Sequence, residues 1–124
     1  MQGYSFHKEE RLKSRKLISS LFREGQSVYF HPLRVLYREK ETERYPAKIA
    51  ISIPKKFIRH AVTRNLLKRR IREAYRLNKP AYYEAMNNKE KQYYLMVLYQ
   101  SEKIFGYRYI EQQLNKSLEK LLSG

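Results

Sequence analysis

The sequence contains no cysteine and no aspartate, and it has no long apolar run. Because cysteine is absent, disulfides and thiolate metal sites are excluded. A membrane-spanning helix needs about eighteen or more apolar residues in succession, whereas the longest compact apolar segment here is Tyr93 to Tyr99. The N-terminus also lacks an apolar signal region. We therefore expect a soluble, cytoplasmic protein without a membrane partner.

The absence of aspartate argues against an active site made by the protein itself. All twelve acidic residues are glutamates, and they are scattered along the chain. Nucleases that use Mg²⁺ instead cluster carboxylates around the ion. Glu39, Glu41 and Glu43 are close together, but their hydrophilic surroundings are typical of a solvated hairpin loop. The three histidines have no metal-binding spacing. The sequence therefore predicts no catalytic residue and no metal site on the protein.

Positive charge is what the sequence has in excess. There are 27 Lys and Arg residues against 12 acids, a formal net charge of +15, and the pI is about 10.1. Such a balance is typical of a protein that binds a polyanion, with nucleic acid favoured over an anionic membrane. A length of 124 residues fits one domain.

Hydrophobic periodicity predicts an alternation of helices and strands. A first amphipathic helix runs from the N-cap Ser14 to a stop at Gly25. We expect strands over 33–38 and 47–53, paired in a hairpin, with a weaker strand over 27–30 before them. A long helix over 61–78, which ends ahead of Pro80, is followed by a buried strand over 93–99 and a closing helix over 110–122. Residues 1–11 are predicted to be a flexible basic tail.

The strongest local signal is the basic segment 55–76. It holds nine basic residues and the single acid Glu73. A helical projection gathers Leu67, Ile71, Ala74 and Leu77 on one side and the cations on the other. Like charges four residues apart repel, so we expect a partner whose phosphates offset the charge. The alternative is a solvated face that serves only solubility.

Exposed aromatic rings are the second candidate feature for nucleic-acid binding. Phe22 on the first helix and Tyr37 on a strand are placed where a ring can stack on an unpaired base. The alternative for each is ordinary core packing.

The segment from Ile53 to Arg76 resembles the signature of the bacterial ribonuclease P protein subunit. The shared pattern is a strand that ends in Lys55-Lys56, a short turn, Ala-Val, and an Arg-Asn helix that continues Lys-Arg-x-Ile-Arg-Glu-Ala-aromatic. With the flanking elements, the resemblance covers about residues 11–122. Leu66 replaces the third residue of the family's Arg-Asn-Arg, and Arg69 or Arg70 can supply the missing charge. Ile18 stands where the family often has an aromatic ring.

The resemblance implies a single-domain α+β fold, an α/β sandwich. Its element order is α-β-β-β-α-β-α, and its four-stranded sheet contains a left-handed βαβ crossover, like the second domain of ribosomal protein S5. It also implies a monomeric protein that binds ribonuclease P RNA one to one and contacts the 5′ leader of precursor tRNA. The RNA, with Mg²⁺ bound to RNA and substrate, would then carry out the phosphodiester hydrolysis.

By the same resemblance, two groups of residues form the binding sites. The leader cleft is expected to contain Ile18, Phe22 and Tyr37. The RNA-binding residues are expected to be Lys55, Lys56, Arg59, Arg64, Asn65, Lys68, Arg69, Arg72 and Arg76.

Other classes of protein account for fewer of these features. A general RNA-binding structural protein, such as a ribosomal protein, explains the charge and the size equally well. A DNA-binding helix-turn-helix protein needs a helix directly before the basic one, where a strand is predicted here. A self-sufficient nuclease needs grouped carboxylates or histidines.

Overall fold

The computed structural model describes residues 8–123 as a mixed α and β fold. A short 3-10 turn, Lys8–Glu10, precedes seven elements in the predicted order α-β-β-β-α-β-α. They are α1 (Arg15–Glu24), β1 (Gln26–Phe30), β2 (Leu33–Lys40), β3 (Ala47–Ser52), α2 (Ala61–Lys89), β4 (Gln92–Tyr99) and α3 (Tyr107–Ser123).

The four strands form one sheet in the order β1-β2-β4-β3. β1 and β4 pair with β2 in antiparallel fashion, and β3 pairs with β4 in parallel. The predicted hairpin of β2 and β3 is therefore wrong, because β4 lies between them. β4 carries the most continuous apolar run of the chain and is buried along most of its length, which favours a central place in the sheet. β3, α2 and β4 form the expected βαβ unit.

The two faces of the sheet are covered by different helices. Leu33 and Val35 of β2 belong to the main core, which also contains residues of α2 and α3. Leu36 points to the opposite face and packs in a smaller cluster with Leu21 of α1. Alternation of side chains along a strand produces this division. It fixes which helix each strand residue can meet.

Helix α1 begins and ends as its sequence predicts. The Ser14 side-chain oxygen accepts a hydrogen bond from the Leu17 amide at 3.2 Å. At the other end, the Gly25 amide donates to the Leu21 carbonyl at 3.0 Å. A Cβ atom at Gly25 would lie 2.6 Å from that carbonyl oxygen, so the close approach requires glycine.

Helix α2 is longer than predicted, because Pro80 does not end it. The helix continues to Lys89, where Glu90 adopts the left-handed conformation with φ 57° and closes it. Tyr82 and Met86, which follow the proline, are buried. Their burial stabilises the last turns and offsets the backbone hydrogen bond that proline cannot donate. Leu77 was expected in the core but is 41% exposed.

The segment predicted as a flexible tail packs on the fold from Lys8 onward. The Leu12 amide donates to the Ile49 carbonyl at 2.9 Å, beside β3. Glu10 is fully buried and pairs with the Lys79 ammonium at 2.9 Å. The Tyr83 hydroxyl also donates to the Glu10 carboxylate, at 2.5 Å. The tail prediction is thus wrong for residues 8–11, and its residues 1–7 lie outside the described part of the chain.

Candidate nucleic-acid interface

The turn between β3 and α2 carries three cations of the predicted RNA-binding set. The Pro54 carbonyl accepts hydrogen bonds from the Phe57 and Ile58 amides at 3.1 and 3.2 Å. The Ile58 side chain is buried and anchors this turn in the core. As a result Lys55 and Lys56 lie exposed at its tip, and Arg59 is exposed just before the helix.

Five cations of the predicted RNA-binding set have no salt-bridge or hydrogen-bond partner within residues 8–123. Asn65 is exposed on the same side of α2, and Lys68 is half-buried. Unpaired cations on one side of a helix and on the turn before it provide a surface that phosphates can neutralise. The five are Lys55, Arg59, Lys68, Arg69 and Arg72.

Arg64 is turned toward the protein. Its Nη1 atom donates to the carbonyls of Ile58 at 3.1 Å and Arg59 at 2.6 Å. The guanidinium therefore holds the turn that carries Lys55, Lys56 and Arg59 against the start of α2. We assign Arg64 a positioning role, which the helical projection did not indicate.

Arg76 is also engaged within the protein. Its guanidinium forms an ion pair with the Glu73 carboxylate one turn earlier. The hydrogen bond from Arg76 lowers the pKa of the Glu73 carboxyl below its ordinary value. Because the pair is partly exposed to solvent, it contributes little stability. Its main consequence is that the charge of Arg76 is balanced at the end of the basic face.

The two cations considered as substitutes at Leu66 differ in their surroundings. Arg69 is exposed on the basic face. Arg70 instead donates to the Phe105 carbonyl at 2.6 Å and holds the loop between β4 and α3. Leu66 itself is half-buried. Of the two, Arg69 is therefore the one positioned to meet a phosphate.

A groove of about 420 Å³ lies between α1, β3 and α2, and we name it the α1–α2 groove. Ile18 of α1 lines this groove together with Lys68 and Arg72 of α2. Its lining contains no carboxylate, so apolar side chains and cations together form its surface. The remaining lining residues are Arg11, Leu12, Lys13, Ile49, Ala50, Ile51 and Met96.

The structure does not assemble Ile18, Phe22 and Tyr37 into one cleft. Phe22 is 57% exposed on α1, one turn after Ile18, and is outside the lining of the groove. Tyr37 points to the other face of the sheet, where its ring meets that of Tyr93 edge-on at 6.1 Å. It lines a separate cavity of about 520 Å³. The side-chain alternation of β2, which sends Leu36 toward α1, sends Tyr37 away from it.

Sequence reasoning missed Arg11 and Lys13 as residues of the groove. Arg11 ends the segment predicted to be a flexible tail, and Lys13 lies between that segment and the N-cap Ser14, where no element is predicted. Leu12 lies between them and is buried. An apolar residue flanked by cations was the one available signal that this segment packs on the fold.

No cluster suited to a metal ion is found in the described part of the chain. Residues 8–123 contain no group of three or more His, Cys, Asp or Glu side chains that could hold one. Over the same residues, no helix has both the length and the apolar character needed to cross a bilayer.

Comparisons of the sequence with known proteins all point to the same family. The Ribonuclease P family model matches residues 6–122. A ribonuclease P protein component of Porphyromonas gingivalis is 36% identical over 118 residues, which cover 93% of this chain and 85% of that protein. The corresponding protein of Dictyoglomus turgidum is 43% identical over 77 residues, with 62% of each chain covered.

Solved structures give the same result for the fold. The RNase P protein of Staphylococcus aureus matches with a TM-score of 0.71 at 22% identity, over 90% of this chain and 94% of that one. The RNase P protein of Thermotoga maritima matches with a TM-score of 0.68 at 25% identity, over 90% and 96%. A general RNA-binding structural protein is not favoured by these matches. The chain belongs to the ribonuclease P family, as a protein subunit that works with ribonuclease P RNA in an endoribonuclease and takes part in processing the 5′ leader of tRNA.

Proposed function

We propose that this protein binds ribonuclease P RNA as a monomer in a one-to-one complex and holds the single-stranded 5′ leader of precursor tRNA in the α1–α2 groove. The observation that carries the proposal is that Ile18, Lys68 and Arg72 line one groove whose lining contains no carboxylate. A cytoplasmic location is part of the proposal, because the RNA partners of such an enzyme are found there.

The groove suits a single strand of RNA on chemical grounds. Its cations, which include Arg11 and Lys13, can neutralise successive phosphates, while its apolar side chains offer a surface for base faces. Ile18 packs on a base but lacks the ring needed for stacking. Phe22, exposed one turn further along α1, is placed to stack on a nucleotide at the end of the groove. Tyr37 has no part in this site.

The catalytic RNA is assigned to the outer surface of α2 and the preceding turn. Lys55, Lys56 and Arg59 are exposed in the turn, and Asn65 and Arg69 are exposed on the helix. Contacts of this kind fix position without reading base sequence. The protein thus holds leader and catalytic RNA on adjoining surfaces and reduces the repulsion between two polyanions.

Hydrolysis itself is assigned to the RNA, with Mg²⁺ held by phosphates of RNA and substrate. This assignment is supported by the scattered glutamates of the sequence, since Mg²⁺ sites in proteins are built from grouped oxygen ligands. Mature tRNA has no leader to occupy the α1–α2 groove. Product is therefore expected to bind more weakly than substrate and to leave.

The test is precursor tRNA cleavage at low Mg²⁺ by the protein mixed with a bacterial ribonuclease P RNA. Protein alone and RNA alone are the controls. We expect strong activation in the mixture and no cleavage by the protein alone. Absence of activation, with RNA still bound tightly, would contradict the proposal.

A double variant tests the contribution of the α1–α2 groove to binding separately from that of the remaining surface. Lys68→Ala/Arg72→Ala is expected to weaken binding of precursor tRNA to the reconstituted enzyme more than binding of mature tRNA. Lys116→Ala, which removes an exposed cation of α3, is the matched control and should change neither. Equal losses for precursor and mature tRNA would show that the groove does not hold the leader.

A further inference from the structure

Four aromatic rings form a continuous row at the surface, which we name the aromatic ladder. The ring of Tyr29 lies 6.3 Å from that of His31, and His31 lies 5.6 Å from Phe105, both edge-on. Phe105 and Tyr109 are stacked at 4.8 Å. Tyr29 and Tyr109, at the two ends, are 44% and 38% exposed. Each of these two residues is partly buried by its neighbours and leaves more than a third of its surface open to a partner.

Buried polar groups hold the middle of the ladder in place. The Gln113 side chain, 7% exposed, donates to the His31 carbonyl at 2.9 Å. The fully buried Tyr99 hydroxyl donates to the Lys103 carbonyl at 2.6 Å and accepts from the Phe105 amide at 3.1 Å. The Arg70 bond to the Phe105 carbonyl adds a third support. A surface fixed in this way loses little conformational entropy when it binds.

The charges beside the ladder are mainly positive. The Arg34 guanidinium lies 4.6 Å from the centre of the Tyr29 ring and is held by Gln100 at 3.1 Å. Lys103 and Arg108 are exposed in the adjoining loop and at the start of α3. Exposed rings flanked by cations are the combination with which proteins bind unpaired nucleotides.

The ladder also adjoins the basic turn before α2. A shallow cavity of about 330 Å³ is lined by Ile104, next to Phe105, by Lys56, Arg59 and His60, and by one carboxylate, that of Glu102. An RNA strand on the basic turn can therefore continue across Ile104, which is 56% exposed, onto the ladder. The α1–α2 groove lies elsewhere, because Tyr29 is on β1 and the groove is on β3, at the opposite edges of the sheet.

We propose that the aromatic ladder is a second RNA-binding surface, which takes unpaired nucleotides of ribonuclease P RNA by stacking on Tyr29 and Tyr109. The identity of this RNA rests on the proposed function. The stacking itself is a property of single-stranded RNA in general and can be tested without it.

The experiment measures affinity and its salt dependence together. Tyr29→Leu/Tyr109→Leu removes two rings and no charge, and Tyr45→Leu, in the loop between β2 and β3, is the matched control. We expect the variant to bind ribonuclease P RNA at least about thirtyfold more weakly, as loss of two base-stacking contacts predicts, with the slope of log affinity against log salt unchanged. Tyr29→Phe/Tyr109→Phe keeps the rings and should retain wild-type affinity. An affinity within twofold of wild type, or an equal loss in the control, would overturn the proposal.

A second probe distinguishes this inference from the proposed function. A labelled single-stranded uridine oligonucleotide and a duplex of equal length are titrated with the same proteins. We expect the leucine variant to lose part of the preference for the single strand. If the wild-type mixture fails to activate precursor cleavage but this loss is seen, the proposed function fails and the ladder stands. If activation is normal and the preference is unchanged, the ladder proposal fails alone.

Discussion

The two halves of helix α2 use the same kind of residue in opposite ways. Lys68 and Lys79 are eleven residues apart, which places them within about 20° of one another around the helix. Lys68 lines the open α1–α2 groove and has no ion-pair partner among residues 8–123. Lys79 is 4% exposed and paired with the buried Glu10.

The N-terminal segment creates this difference. Glu10 covers Lys79, and the next residues, Arg11 and Lys13, line the groove together with Lys68. In the C-terminal half of α2, the closed half, the segment supplies the Glu10 carboxylate, and Lys79 is buried against it. In the N-terminal half, the open half, the segment supplies the cations Arg11 and Lys13, and the groove beside Lys68 stays open to solvent. The charge of the segment beside a lysine of α2 thus determines whether that lysine is paired within the fold or left open to a phosphate.

The largest effect is expected from breaking the closed half. Lys79→Ala leaves Glu10 and its charge buried without the ammonium, a change that costs about 3–5 kcal/mol in comparable sites. Denaturant unfolding of the purified protein measures it. The double variant Glu10→Leu/Lys79→Met removes both charges and should recover at least half of the loss. A loss below about 1 kcal/mol for Lys79→Ala would place the pair with ordinary surface ion pairs.

The next effect concerns Arg64, which lies at the start of the open half but faces inward. Arg64→Ala removes the hydrogen bonds to the Ile58 and Arg59 carbonyls. We expect a loss of about 1.5–3 kcal/mol in the free energy of unfolding, the usual range for hydrogen bonds that involve a charged group. Arg69→Ala, at an exposed neighbour, should leave stability unchanged. Similar unfolding curves for the two variants would remove the positioning role from Arg64.

The open half is tested by Lys68→Ala/Arg72→Ala. Stability should change by less than about 0.5 kcal/mol, as at other surface sites. Affinity for precursor tRNA should fall roughly tenfold, and the slope of log affinity against log salt should decrease by about 0.7 for each single-strand phosphate contact that is lost. Titrations at several salt concentrations give both quantities. A variant with the wild-type slope would show that these cations do not meet phosphates.

The smallest effect belongs to Arg76, the cation of α2 that is paired at the surface. Because Arg76 lowers the pKa of the Glu73 carboxyl, the pair stabilises the fold above the ordinary pKa of glutamate. That stabilisation is lost as the pH falls through the lowered pKa. The free energies of unfolding of wild type and Glu73→Gln should therefore differ slightly at pH 7, and by less at pH 3. An equal difference at both pH values would mean that the ion pair does not cause it.

Local periodicity predicted the helices and most strand positions correctly. Ser14 and Gly25 bound α1. Arg69 and Arg72 of α2 are exposed as the helical projection expects, whereas Arg64, Lys68 and Arg76 on the same side are half-buried. The predictions that were wrong depend on contacts between distant parts of the chain. β4 lies between β2 and β3 because its apolar residues are buried in the centre of the sheet. The local sequence patterns of β2 and β3 do not indicate which strand lies between them. Pro80 stays inside α2 because Tyr82 and Met86 beyond it are buried.

The candidate site was predicted only in part, because some of its contacts also join distant parts of the chain. The cations of α2 could be found from spacing, since a helix fixes its own faces. The partners of Arg64 and Arg70 lie in loops, so their inward role was not visible. Tyr37 was assigned to the cleft by resemblance, although strand alternation already separated it from Leu36, the β2 residue that meets α1.

Lysine reactivity is the most direct measure of the division within α2. The protein is acetylated with a small amine-reactive reagent, free and in complex with ribonuclease P RNA and precursor tRNA, and each modified lysine is quantified by mass spectrometry. We predict that Lys68 reacts in the free protein and is protected by RNA, that Lys79 reacts in neither state, and that Lys116 reacts in both. Reaction of Lys79 in the folded free protein, or undiminished reaction of Lys68 in the complex, would contradict the account.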